Sequence, residues 1–136
     1  MRKFFITLIL VLSTFILTAQ TYYKATLTEM YTYDNTNKEW VLYSKNSDVS
    51  ITVVVEPQFI SFQAKKPSIF KVYENTKEEM NTKSLSGYRY TAKDLREDQM
   101  VKVDVLVHKE TKTAVISIIN VSEGYNLRYF LTEVID

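Results

Sequence analysis

MVKVDVLVHKETKTAVISIINV, residues Met100 to Val121, contains its own strand pairing. Val101, Val103, Val105 and Val107 alternate with Lys102, Asp104, Leu106 and His108, the period of a strand with one buried face. Lys109-Glu110-Thr111-Lys112 is a polar break, and Thr113 to Val121 is a second β-branched run. A four-residue loop sets His108 opposite Thr113, Val107 opposite Ala114, Val105 opposite Ile116 and Val103 opposite Ile118. These aliphatic pairs then meet on one face, as register selection by a buried face requires. The other face is mixed, with Lys102, Asp104, Thr113 and Ser117 beside Leu106, Val115 and Ile119.

Working outward, the same pattern recurs. Tyr23 to Tyr33 alternates, Asp34-Asn35-Thr36-Asn37 is a turn cluster with side chains that bond their own backbone, and Lys38 to Ser44 returns. A four-residue loop there faces Tyr31 with Trp40 across the strands. Val49 to Glu56 is the clearest strand, and Pro57-Gln58 reverses it into Phe59 to Ala64, so that Val55 faces Ile60 and Val53 faces Phe62. The fixed negative φ of proline excludes a two-residue primed turn, which favours a four-residue loop containing a type I turn. Ser68 to Glu74, Ser84 to Ala92 and Tyr125 to Thr132 complete the strands. Between them, Glu74 to Lys83 is the longest polar interval, and Thr76 with Glu79 fits a capping box, which predicts one or two helical turns. Lys93 to Gln99 is a second charged connector with the composition of a helical turn.

These segments predict an all-β fold: an antiparallel up-and-down meander of about nine short strands, closed as a small barrel or packed as a sandwich, with the barrel favoured. It is expected to follow a cleaved signal peptide. Met1-Arg2-Lys3 is a positive start, Phe4 to Leu17 is mostly apolar, and Thr18-Ala19-Gln20 is a small-residue end. That apolar stretch falls short of the roughly 20 residues of a membrane helix. Residues 1–19 are therefore read as the signal peptide and 20–136 as a single all-β domain, exported to a periplasm or the exterior, with no stable membrane span after signal removal. A membrane barrel needs strands of roughly 9 to 11 residues with a continuous apolar band, and several of these segments are shorter.

Charge and composition narrow the function. Without Arg2 and Lys3, 15 basic residues stand against 16 acidic ones with no charge block, so no nucleic-acid partner is expected. The chain has no cysteine, which removes disulfides and thiolate chemistry. His108 is the only histidine. Asp104 lies four residues away on the same strand, roughly 13 Å, too far for a hydrogen-bonded triad with it and Ser117. Glu29, Glu78-Glu79 and Glu97-Asp98 are the candidate carboxylates, and all but Glu29 sit in solvated connectors. Asp34 to Asn37 has oxygen ligands but lacks the glycine and distal glutamate of a calcium loop. No catalytic residue, metal site or cofactor is expected.

The ten tyrosines and Trp40 are the unusual feature. Tyr23, Tyr31 and Tyr33 share one parity of the first strand, and Tyr125 and Tyr129 one parity of the last. If those strands pair, the two stripes become one patch beside Trp40. Two readings follow, both of a non-catalytic binding protein. In the first, these six residues and the aliphatic side chains hold a small hydrophobic or amphipathic ligand in the barrel, with Glu74 to Lys83 and Lys93 to Gln99 bordering its mouth. In the second, the core is filled and the tyrosines form a contact surface for a protein or glycan partner.

Overall fold

The computed structural model describes residues 21–135. The expected signal peptide, residues 1–19, lies outside the described residues. Nine strands follow one another: β1 (Thr21–Asp34), β2 (Glu39–Asn46), β3 (Ile51–Glu56), β4 (Phe59–Gln63), β5 (Ser68–Asn81), β6 (Leu85–Asp94), β7 (Gln99–His108), β8 (Ala114–Asn120) and β9 (Tyr125–Ile135). All neighbours are antiparallel. The order runs β1-β3-β4-β5-β6-β7-β8-β9, and β9 pairs back with β1 to close an eight-stranded barrel. β2 is the strand left over. It pairs with Thr28 to Asp34 of β1, on the edge that β3 occupies lower down at Thr21 to Ala25.

The pairing read from Met100 to Val121 is the observed one: Val107 faces Ala114, Val105 faces Ile116 and Val103 faces Ile118. Four hairpins share a four-residue loop whose last residue has a positive φ: Lys38 (55°), Asp98 (55°), Lys112 (61°) and Gly124 (73°). Side-chain oxygens close three of these turns. Asp34 Oδ1 accepts from Thr36 N and Asn37 N at 2.9 and 3.3 Å, Asp94 Oδ1 from Arg96 N and Glu97 N at 3.0 and 3.2 Å, and Asn120 Oδ1 from Glu123 N at 3.0 Å. Lys93 to Gln99 is thus strand and turn, not a helical turn. Because Asp34 stays in the ladder opposite Glu39, Trp40 faces Tyr33 and not Tyr31, two residues from the expected partner. The β3–β4 turn is tighter than expected. Glu56 faces Phe59 across Pro57-Gln58, and Gln58 at φ 74° after proline has the signs of a type II turn.

The predicted helical turn at Glu74 to Lys83 is the second half of β5. Pairing with β6 overrides the local capping pattern, and Thr76 serves a bulge instead. Its hydroxyl donates to Tyr73 O and accepts from Thr91 N, filling the gap in register between Tyr73 and Glu78.

Apolar side chains fill the barrel. Tyr23, Phe62, Phe70, Tyr90 and Tyr129 are buried there with valines and isoleucines from β3, β4, β5, β7 and β8, while β1 and β6 add Ala25 and Ala92 and β9 adds Leu131. Phe62 stacks on Tyr129 at 4.0 Å between centroids and meets Phe70 edge-on at 5.7 Å. The outer face carries a row of polar residues in direct register across seven strands: Glu78, Arg89, Asp104, Ser117, Arg128, Glu29 and Lys45. A barrel that crosses lipid presents an apolar band in that position.

Candidate functional site

The six residues singled out from the sequence separate into an inner and an outer set. A bulge causes the division. Ala25 faces Leu131 and Leu27 faces Phe130, so Thr26 is an extra residue on β1 and the strand's parity reverses there. Tyr23 and Ala25 point into the barrel, whereas Leu27, Glu29, Tyr31 and Tyr33 stand on the outside. The expected single patch does not form, although β1 does pair with β9: Tyr31 faces Asn126, and Thr32 is the residue opposite Tyr125.

The inner set is packing. Tyr23 is fully buried, its hydroxyl has no hydrogen-bond partner among the described residues, and burial pushes its phenol pKa upward. Tyr129 stacks on Phe62, and burial pushes its pKa up to about 12. Tyr125 is half-buried at one end of the barrel, and burial raises its pKa as well. With Met30, Phe70, Ile118, Leu127 and Tyr129 it lines an open cleft of about 260 Å³ there.

The outer set is built on hairpin β1–β2. Tyr33 and Trp40 meet edge to face at 5.2 Å with planes at 72°. The Arg128 guanidinium lies 4.6 Å from the Tyr31 ring centroid, and Tyr31 donates to Glu29 Oε1 at 2.8 Å. Burial, then that carboxylate, raise the Tyr31 pKa. These contacts fix the outer face of the hairpin as an aromatic ridge. β2 adds three residues that the tyrosine argument missed: Val41, Leu42 and Tyr43 are 43, 48 and 71% exposed. Their signal in the sequence is an apolar run without alternation between polar flanks. Tyr43 is also the extra residue of a bulge, since Tyr31 faces Leu42 while Met30 faces Ser44.

Asp104, Ser117 and His108 do not come together as a triad. Both oxygens of Asp104 are bonded to Arg89, and Ser117 is opposite Asp104. His108 sits at the far end of β7, half-buried beside the turn. Among the described residues no group of three histidine, aspartate or glutamate side chains is placed to hold a metal ion. Comparisons with protein-family models, with curated proteins and with solved structures returned no match for this chain.

Proposed function

We propose that the chain is an exported, non-catalytic interaction module and that the β1–β2 hairpin is its contact surface for a partner protein. One observation carries the reading: the barrel closes through β1–β3 and β1–β9, so β2 is dispensable for closure, yet it exposes Leu42 and Tyr43 beside Tyr33 and Trp40, with Val41 exposed on its other face. Apolar and aromatic side chains grouped on a rigid ladder are the composition of a protein-binding centre. β2 pairs with β1 on one side and with no other described strand, which leaves backbone groups for an added partner strand. The edge-to-face angle of Tyr33 and Trp40 favours a protein over a sugar, because a pyranose ring stacks best on a flat aromatic platform.

A photo-crosslinking side chain at Tyr43, introduced in the native host, tests this directly. The expected result is a discrete protein adduct that Leu42→Asp abolishes and that the same crosslinker at Glu110, on the opposite end, does not give. Equal products from both positions, or none from Tyr43, would overturn the assignment.

A further inference from the structure

The opposite end of the barrel is open on one flank because β5 outruns β4. β4 pairs with β5 only from Ser68 to Lys71, whereas β5 continues to Asn81 with β6 alone beside it. Under that projecting hairpin lies an open cleft of about 350 Å³, at the lower end of the roughly 300–1,000 Å³ of small-molecule sites. Tyr88, Val105 and Val107 contribute its apolar surface, and Lys109 and Lys112 stand at its rim.

Charge at this mouth is placed, not scattered. Lys109 Nζ donates to Asn81 Oδ1 and to Thr82 O, each at 2.6 Å, which ties the tip of the β5–β6 hairpin to the β7–β8 turn. An ammonium has three protons, so one is left for a ligand. Lys112 is exposed in the same turn. The Lys77 ammonium lies 4.2 Å from the Tyr88 centroid, with Glu74 at 3.9 Å to balance it. Glu79, also exposed, is the one carboxylate among the lining residues and faces two lysines there.

We propose that this cleft binds a small amphipathic anion, with an apolar body on Tyr88, Val105 and Val107 and a single carboxylate head between Lys109 and Lys112. The core of the barrel is packed, so the ligand lies across the mouth and keeps its head hydrated. This site is independent of the β1–β2 hairpin, and its failure would leave the hairpin assignment standing.

Decanoate and decanol are the probes, titrated into the isotope-labelled chain and followed by backbone amide shifts. Decanoate is expected to move Tyr88, Val105, Val107, Lys109 and Lys112 and to bind more weakly as salt rises. Lys112→Gly is the informative variant. It removes one ammonium and relieves a left-handed backbone, so it is expected to bind decanoate about fivefold more weakly with an unchanged or higher thermal midpoint. Decanol binding as tightly as decanoate, unchanged affinity in Lys112→Gly, or shifts confined to the other mouth or to β2 would each overturn the proposal.

Discussion

Arg89 on β6 holds Asp104 on β7 through two parallel bonds, Nε to Oδ1 at 2.6 Å and Nη2 to Oδ2 at 2.8 Å. The carboxylate side chain is 5% exposed and the guanidinium 32%, so the pair is only partly screened by water. Removing one partner strands the other, which costs more than removing both. Asp104→Ala is expected to cost about 2–3 kcal/mol in urea unfolding, and Arg89→Lys about 1 kcal/mol, since lysine cannot form the fork. The double change Arg89→Met with Asp104→Leu should cost less than Asp104→Ala alone. A loss below about 0.5 kcal/mol in Asp104→Ala would mean that the row is decorative.

Gly87 lies next to that pair on β6, where only a missing side chain fits. A Cβ built there would be 2.0 Å from the Val105 carbonyl oxygen and 2.9 Å from Leu106 Cα, both backbone atoms of the paired strand. Neither can move without breaking the β6–β7 ladder. Gly87→Ala is expected to lose about 3 kcal/mol or more, or to fail to fold. Gly124→Ala is the control. It meets only Tyr33 Cβ, at 3.9 Å, and its penalty comes from φ 73° alone, about 1 kcal/mol. Equal midpoints for the two variants would contradict the close approach.

The buried tyrosines predict the alkaline limit of the fold. Tyr129 has its pKa pushed up to about 12 from 10.0, and burial raises Tyr23 and Tyr90 too. A group whose folded value is raised stabilises the fold fully below its unfolded value, and that contribution disappears as pH climbs through the folded one. Unfolding is therefore expected between pH 10 and about 12, with part of the tyrosinate absorbance appearing only as the β-sheet signal in circular dichroism collapses. Tyr23→Phe should do more than shift this limit. It deletes a buried hydroxyl that has no partner among the described residues, so stability at neutral pH is expected to rise by about 1 kcal/mol. A destabilised Tyr23→Phe would show that the hydroxyl is satisfied in solution.

What the sequence makes legible is local and repeated. The β7–β8 register is readable because two alternating strands leave one solution that puts Val103, Val105 and Val107 opposite Ile118, Ile116 and Ala114, whereas the loop that Asp94 opens is not, because Lys93 to Gln99 has the composition of a helical turn and Asp94 closes a hairpin only once β6 pairs with β7. The face of the tyrosines is not readable, because the extra residue at Thr26 is set by how β1 meets β9, almost the whole chain away. The same holds for Thr76, whose capping pattern is genuine but loses to the long-range pairing of β5 with β6. As for the candidate surface, Tyr31, Tyr33 and Trp40 were visible as aromatic residues, but Val41, Leu42 and Tyr43 matter only once β2 is known to lie outside the barrel.

The turn at the tip of that outlying hairpin is expected to respond to acid before the barrel does. The backbone N–H groups of Asn37 and Thr36 hold the Asp34 carboxyl below its ordinary 3.8. A lowered folded value stabilises the turn above the ordinary value, and the effect is lost as pH falls through the folded one. Trp40 is the only tryptophan and packs on Tyr33 one pair from the turn, so it reports the opening. As pH falls below the ordinary 3.8 its emission is expected to shift to the red while the far-ultraviolet signal of the barrel persists, because β2 takes no part in closure. Asp34→Asn keeps an acceptor oxygen at the same place but does not titrate. It should remove the step and leave the neutral-pH spectrum unchanged. If the step survives in Asp34→Asn, or if the barrel signal falls with it, the hairpin does not open as a separate unit.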